Sequence, residues 1–142
     1  MDRNQIITAI LSILSLVVSI LAYINSLNSK KISQGQIELQ IHQHIAESEN
    51  NLLNILMKKN EFTDTYFNNI LDVALQFNLN AYEEACAKYI DNKVDKKRFK
   101  KNYQAPITSI VKEPMYNKFF NPNTSNYRAI LKVNQEWNNL EK

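Results

Sequence analysis

The chain has 142 residues, of which 22% are charged and 44% are hydrophobic, and its formal net charge is +3. This composition is ordinary for a folded chain, and the length permits one small domain and an anchor, so one domain is the expectation. The single cysteine, Cys86, has no partner for a disulfide within the chain.

The first element is an apolar segment, Ile6 to Ile24, of nineteen residues without a charged side chain. As a helix it reaches about 28 Å, close to the thickness of a bilayer's hydrocarbon core. Arg3 precedes it as in a signal peptide, but the run is longer than a typical signal-peptide apolar region and no A-x-A-like cleavage site follows. We therefore predict a retained transmembrane helix within residues 1–29.

The basic residues that flank this segment predict its orientation. Arg3 lies before it, whereas Lys30, Lys31 and further Lys-rich sequence lie after it. Because basic residues are enriched on the cytoplasmic side of a membrane, we expect the N-terminus outside and residues 30–142 in the cytosol. Cys86 would then remain a reduced thiol.

A line of hydroxyl or small residues follows the span at alternating spacings of four and three. Such spacing recurs every 3.5 residues, which is the seam of a left-handed helical supercoil. Small residues at a seam allow two spans to approach closely, and each hydroxyl contact contributes about 0.6 kcal/mol on average, so repetition around a ring of four or more subunits is required. The line, here called the hydroxyl seam, comprises Thr8, Ser12, Ser15, Ser19, Ala22 and Ser26.

The same register continues beyond the span as a polar stripe. Two interpretations remain open: a water-filled pore with a cytosolic vestibule, or a dry packing seam followed by the solvent face of an amphipathic helix. Gly35 is the weak point of this continuity, since a glycine costs about 1 kcal/mol within a helix and would mark a bend. The vestibule residues are Ser33, Gln36, Gln40, Gln43 and Glu47.

The rest of the chain predicts an all-α fold, with a membrane-proximal helix or stalk in residues 30–60 and a cytosolic helical domain in residues 61–142. The segment "NEFTD" favours a break before a second helical stripe. Asn80 and Glu83 have the spacing of a capping box at the start of a short helix, and Asp95 is placed to cap the next one, which Pro106 should end or kink. A connector, "EPMYNKFFNPNTSN", precedes a final helix with apolar positions from Tyr127 to Leu140. We expect this architecture to assemble as an oligomeric bundle.

Enzyme chemistry has little support in the sequence. There is no Gly-rich phosphate loop, no nucleophile elbow and no repeated Cys or His pattern. His42 and His44 are two residues apart, so on a helix they point to different faces and do not share a metal ion. Cys86 lies among apolar residues, which favours a buried inert thiol. We predict no enzyme, no catalytic residue, no metal site and no cofactor.

The basic segment "KVDKKRFKKNY" is the main candidate for ligand binding. Its charges favour anionic lipid headgroups, a nucleotide or an oligonucleotide, and its aromatic residues offer stacking surfaces. The alternative is a solvated helix face, with Phe99 and Tyr103 directed into the core by their spacing of four. The candidate residues are Lys93, Lys96, Lys97, Arg98, Lys100, Lys101 and Tyr103.

Two segments, "LNAYEEACAKYIDNKVDKKRFKKNY" and "NYRAILKVNQEWNNLEK", give the chain a resemblance to small single-span bacterial proteins. The resemblance is carried by a Tyr-Glu-x-x-Cys and an Arg-Phe-Lys-Lys segment beside one N-terminal span. Some proteins of this kind resemble membrane effectors of anti-phage defence systems. The resemblance implies an effector that assembles in the bacterial inner membrane, permeates it, and is controlled through its cytosolic domain by a nucleotide or nucleic-acid signal.

The sequence as a whole predicts a homo-oligomeric, pore-like membrane effector whose open or closed state is set by the cytosolic helices. Ligand binding would bias two packings of the oligomer only if the ligand binds them unequally. Two alternatives stay open: a non-conducting membrane-anchored adaptor that recruits an operon-encoded protein partner, and a membrane-associated nucleic-acid-binding module.

Overall fold

The computed structural model describes residues 2–121 and 124–139, and in these ranges it contains helices and no strand. The prediction of an all-α fold is therefore confirmed. The helices are α1 (Arg3–Met57), α2 (Asp64–Ile90), α3 (Lys96–Lys112) and α4 (Arg128–Asn138), with short 3₁₀ helices at Lys59–Glu61 and Pro114–Phe119. The chain divides into two compact units, Met1–Gln36 and Ile37–Lys142.

The first unit is the N-terminal part of α1. Its large apolar side chains are exposed, as at Leu16 (62%), Val18 (64%) and Tyr23 (66%). Over the part of the chain that the structure describes, α1 is the one helix long and apolar enough to cross a membrane, and its apolar window has no buried residue. The predicted apolar helix is thus present.

Gly35 does not interrupt α1, which runs without a break from Arg3 to Met57. Its surroundings are open, because a Cβ atom added at this position would meet no atom within 4 Å. Gly35 therefore lowers the stability of the helix by about 1 kcal/mol relative to alanine, and the backbone hydrogen bonds of α1 continue through it.

The second unit is a helical domain with one apolar core. The C-terminal part of α1 supplies Ile41, Ile45 and Leu52, which are buried against the other helices. The closest backbone packing joins α2 to α4, α3 to α4, and Pro114–Phe119 to α3. Among its largest fully buried side chains are Leu75, Leu79, Tyr82, Phe99, Ile107, Ile130 and Val133.

The predicted helix start at Asn80 is wrong, because α2 continues through this residue to Ile90. Leu75, Leu79, Tyr82 and Cys86 lie on one buried face that crosses the proposed break, and burying this face stabilises a single helix. Asn80 itself is exposed in the helix interior. The predicted break at "NEFTD" is confirmed, since α2 begins at Asp64.

The start of α3 is confirmed, and of the two effects predicted for Pro106, an end or a kink, the end does not occur. The Asp95 side chain accepts a hydrogen bond from the Arg98 backbone N–H (2.9 Å), which caps the helix. The helix continues past Pro106 to Lys112. Pro106 has no backbone N–H, which removes one hydrogen bond from this turn of the helix. Ile107 and Ile110, beyond the proline, are buried, and their packing stabilises the turn.

The connector forms the 3₁₀ helix Pro114–Phe119, which buries Tyr116, and α4 follows at Arg128–Asn138. Ile130, Val133 and Trp137 are buried as the sequence predicts, and Leu140 lies outside the described residues.

The N-terminus of α4 is capped by a residue of another helix. Glu83 of α2 accepts the backbone N–H of Ala129 at Oε1 (2.8 Å) and that of Ile130 at Oε2 (2.9 Å). A carboxylate at this position satisfies two unpaired donors and interacts favourably with the helix dipole. The sequence predicts that Glu83 caps a helix beginning at Asn80. In the structure Glu83 instead caps α4, through a residue that lies 46 positions away in the chain.

Replacing Glu83 with alanine should lower the free energy of unfolding by about 1–2 kcal/mol, because two N–H groups of α4 lose their acceptor. The free energy is measured by urea unfolding of the full-length protein in detergent. Unfolding is monitored by the fluorescence of Trp137, a buried residue of α4. The matched control is Glu84→Ala, which removes the adjacent, exposed carboxylate and should change stability by less than about 0.5 kcal/mol. Equal losses in the two variants would contradict the capping role.

Candidate functional site

The hydroxyl seam lies along the exposed surface of α1 in the first unit. All six residues, Thr8, Ser12, Ser15, Ser19, Ala22 and Ser26, are exposed. Three of the hydroxyls donate to the backbone carbonyl four residues earlier: Thr8 to Asn4 (2.9 Å), Ser12 to Thr8 (2.9 Å) and Ser19 to Ser15 (2.8 Å).

These hydrogen bonds determine what the seam offers to a neighbour. A hydroxyl that donates within its own helix carries no unsatisfied proton, so the seam tolerates a dry or lipid environment. Its oxygens remain available as acceptors to water or to another span. The geometry is therefore compatible with both the wet pore and the dry packing seam.

The polar stripe of the second unit occupies the side of α1 that faces away from the core. Gln40, Gln43 and Glu47 are exposed, whereas Ile41 and Ile45 are buried. In the first unit, Ser33 and Gln36 are also exposed. These residues are thus on accessible surface, as a solvent face or a vestibule requires, and the domain core makes no use of them.

The basic segment begins α3, and its cations have different surroundings. Arg98 forms a two-point pair with Glu38 of α1, through Nε to Oε2 (2.7 Å) and Nη2 to Oε1 (3.0 Å). Glu38 Oε1 also accepts the backbone N–H of Asp95 (2.8 Å). Arg98 therefore fixes the start of α3 to α1, and Glu38 raises the pKa of its guanidinium. The hydrogen bond from the Arg98 backbone lowers the pKa of Asp95.

The lysines of the segment remain largely unpaired. Lys96 lies over the ring of Tyr89, with Nζ 4.9 Å from the ring centroid. Within residues 2–121 and 124–139, none of the five lysines forms an ion pair with a carboxylate. Lys97 and Lys101 form an exposed line along α3, one helical turn apart, with Lys100 beside it, and Lys93 is exposed in the loop before the helix.

The aromatic residues of the segment are directed into the core, as the alternative interpretation predicts. Phe99 is only 2% exposed and packs against Tyr89 and Trp137. Tyr103 is partly buried, and its ring centroid lies 4.7 Å from that of Phe99. The lysines of the segment are therefore accessible to an anion, whereas the Phe99 ring is not accessible for stacking.

A cavity of about 280 Å³ lies between α1, α2, α3 and the connector, and sequence reasoning missed it. Its walls are mainly apolar, and Glu49 is the only charged residue among those that line it. We call it the α1–α3 cavity. Its lining consists of Glu49, Leu52, Leu53, Leu56, Asn78, Tyr82, Pro106, Ser109, Ile110 and Tyr116.

A chain of hydrogen bonds forms the floor of this cavity. Tyr116 donates its phenol proton to Asn78 Oδ1 (2.8 Å), and Asn78 Nδ2 donates to Ser48 Oγ (3.1 Å), whose hydroxyl donates to the Ile45 carbonyl (2.8 Å). Separately, Tyr82 donates to Glu49 Oε1 (2.6 Å). Both phenol protons are therefore already used by acceptors of the protein.

The phenols of the floor stay protonated across the physiological range. Burial raises the pKa of Tyr116 to about 12, with a smaller contribution from the nearby Glu49 carboxylate. Burial also raises the pKa of Tyr82, and its hydrogen bond to Glu49 raises it further, because the ionised phenol would face a carboxylate. The floor therefore keeps its donors and acceptors fixed.

The remaining polar residues lie in smaller sites. His44 Nδ1 is 3.5 Å from Glu84 Oε2, beside a cavity of about 70 Å³, while His42 lines a different one of about 80 Å³ near Arg98. In the described ranges, no group of three His, Cys, Asp or Glu side chains is placed to hold a metal ion. Cys86 is fully buried, and burial raises the pKa of its thiol, which keeps it in the unreactive protonated form.

Comparison with known proteins gives no relative: no protein-family model, no curated protein and no solved structure matches the chain. The functional argument therefore depends on the geometry of the seam, the basic segment and the cavity.

Replacing Tyr116 with phenylalanine should lower the free energy of unfolding by about 1–3 kcal/mol, because Asn78, which is 2% exposed, loses the donor to its carbonyl oxygen. Tyr82→Phe is the matched comparison and should cost less than Tyr116→Phe, since Glu49 is exposed and water replaces the lost donor. Urea unfolding followed by Trp137 fluorescence measures both. A larger loss for Tyr82→Phe would contradict this account of the floor.

Proposed function

We propose that the protein is a bacterial inner-membrane effector that forms a homo-oligomer through the hydroxyl seam of its span and acts as a pore. The observation that carries the proposal is the seam itself: an unburied apolar helix whose polar atoms follow one line at a spacing of 3.5 residues. Leucine-rich surface on the other faces suits lipid, while the small residues suit close approach of a second copy.

Pore formation places the seam around a central axis. In that arrangement Ser12, Ser15 and Ser19 present hydroxyl oxygens to the lumen, because three of the seam hydroxyls already use their protons within α1. The exposed stripe of Gln40, Gln43 and Glu47 then lines a polar entrance on the cytosolic side. The resemblance to membrane effectors of anti-phage defence supports permeation of the infected cell as the outcome.

The cytosolic domain supplies the control in this proposal. Lys93, Lys97 and Lys101 have no carboxylate partner in the described residues, so their charge is available to a nucleotide or oligonucleotide. Arg98 is used differently, since it pairs with Glu38 and orients the start of α3. An anion that binds two packings of the oligomer unequally would shift the balance between closed and open states.

A second function, a non-conducting membrane-anchored adaptor, is favoured by the internal hydrogen bonds of the seam. Because Thr8, Ser12 and Ser19 satisfy their own protons, the seam packs without water as readily as with it. In this alternative the span only joins copies of the chain, and the helical domain recruits a partner.

Cysteines placed on the seam should cross-link between subunits, and cysteines on the opposite face should not. We expect disulfide-linked dimers for Ser15→Cys and Ser19→Cys in lipid nanodiscs, with several-fold less product for the controls Ile13→Cys and Val17→Cys, because the seam brings equivalent positions together. The native Cys86 is buried and does not interfere. Native mass of the parent protein should give four or more subunits.

The same cysteine variants separate the pore from the adaptor. A charged, membrane-impermeant thiol reagent should modify Ser15→Cys in the assembled protein and leave Val17→Cys unmodified, since water reaches the seam only in a pore. Efficient cross-linking without modification, in the presence and absence of an oligonucleotide, would exclude the pore and favour the adaptor. A dimer would leave no enclosed lumen and would contradict the pore, whereas a monomer or equal cross-linking on both faces would contradict assembly through the seam.

Charge reversal on α3 should abolish binding of anionic ligands to the domain. We expect a fluorescent single-stranded oligonucleotide to bind the full-length protein in zwitterionic nanodiscs, with an affinity that falls as salt rises. The double variant Lys97→Glu and Lys101→Glu should weaken binding at least about tenfold, because it reverses two adjacent charges on the exposed line. The matched control is Lys58→Glu with Lys59→Glu, which changes the net charge equally at the end of α1. Equal loss in both double variants, or no binding by the parent, would contradict a ligand site on α3.

A further inference from the structure

We infer that the α1–α3 cavity is a binding site for a small apolar amine, that is, a primary ammonium group carried on a short hydrocarbon or aromatic body. This site lies within the second unit and does not depend on the span. Its ligand chemistry is opposite in charge to that expected for the lysines of α3, so the two sites are independent.

The shape and walls of the cavity determine the apolar part of the ligand. Leu52, Leu53 and Leu56 of α1 face Pro106 and Ile110 of α3 across a volume of about 280 Å³. Ligand pockets for drug-sized molecules span about 300–1,000 Å³, so this cavity lies at the small end of that range and has room for a short alkyl chain or one aromatic ring. Leu53 is 49% exposed and Leu56 is 37% exposed, so both retain apolar surface for a ligand to cover.

The hydrogen bonds of the floor select a ligand that donates. The phenol protons of Tyr82 and Tyr116 point to Glu49 and Asn78, so each phenol oxygen is left with acceptor capacity only. An ammonium group carries three donors and no acceptor, which matches this arrangement. A carboxylate or phosphate would find no proton offered by the two phenols.

The charge of the lining selects a cation. Glu49 is the only charged residue that lines the cavity, and Tyr82 occupies one of its oxygens while the other has no partner in the described residues. A hydrogen bond between an ammonium and a carboxylate is about twice as strong as a neutral one. Because Glu49 is exposed at the mouth, the ammonium binds there without complete loss of water while the apolar body enters the cavity.

Three compounds of nearly the same shape test this inference: 2-phenylethylamine, 2-phenylethanol and 3-phenylpropionate. The full-length protein in zwitterionic nanodiscs, with its leucine and isoleucine methyl groups labelled for NMR, is titrated with each. We expect the amine to shift the methyl signals of Leu53, Leu56 and Ile110 saturably. The alcohol should bind about tenfold more weakly, equivalent to 1.4 kcal/mol, and the carboxylate should cause no shift.

Variants assign the preference to Glu49 and the binding to the cavity. Glu49→Gln should reduce the preference for the amine over the alcohol from about tenfold to less than about threefold. Glu47→Gln, on the same helix but outside the cavity, is the matched control and should keep the parent preference. Ser109→Trp places a large ring at the rim and should abolish the shifts with both ligands, while the emission of Trp137 verifies that α4 remains packed.

Several results would overturn the inference. Equal affinities for the amine and the alcohol would show that charge does not contribute to binding. An amine preference retained in Glu49→Gln would show that the ammonium group does not bind at Glu49. Methyl shifts at these residues that appear on raising the protein concentration without ligand would show that a second copy fills the cavity. Absence of any saturable shift in the parent protein would exclude a small-molecule site. None of these outcomes bears on cross-linking at the hydroxyl seam, so the two proposals fail separately.

Discussion

Burial of one face of α2 is the constraint on which the helical domain depends. Leu75, Leu79, Tyr82 and Cys86 are at most 2% exposed along this face. Covering a large apolar side chain contributes about 1.5–3 kcal/mol, and no single helix of this length covers such a face alone. The C-terminal part of α1, α3, α4 and the connector therefore pack around α2, and the positions of the basic segment and of the α1–α3 cavity follow from that arrangement.

Polar contacts from α2 then fix which helix lies where. Glu83 reaches the N-terminus of α4, Asn78 accepts from Tyr116 of the connector, and Tyr82 donates to Glu49 of α1. Tyr89 is held on two sides, since it donates to Glu136 (2.8 Å) and accepts from Trp137 (3.1 Å). The buried members of these pairs, such as Asn78, Tyr116 and Tyr89, would be costly to leave unpaired, so they penalise alternative packings of the same apolar surface. The same contacts leave the floor of the α1–α3 cavity rich in acceptors.

The two units place different demands on α1. In the first unit the large side chains of the apolar segment are exposed, and the hydroxyl seam lies among them. In the second unit one face is buried through Ile41 and Ile45, and the other carries the polar stripe. One continuous helix therefore exposes its apolar residues in the first unit and buries apolar residues in the second.

The sequence by itself determined the local features of this protein. The apolar run of the span, the break before Asp64, the Asp95 cap and the buried position of Phe99 follow from composition, capping chemistry and helical spacing, which act over a few residues. Such signals were wrong at Asn80, and Pro106 does not end α3, because burial of neighbouring apolar residues outweighs the local preference at both positions.

Only the tertiary structure decided the pairings between distant residues. It gave Glu83 to α4, paired Arg98 with Glu38 while the neighbouring lysines have no carboxylate partner within the described ranges, and formed an open cavity beside Glu49. Arg98 and Lys97 are adjacent cations, and nothing in the local sequence indicates which of them forms an ion pair. The partner, Glu38, lies 60 residues away in the chain. Contacts of this kind depend on how the helices pack around α2, and that packing is a property of the whole core.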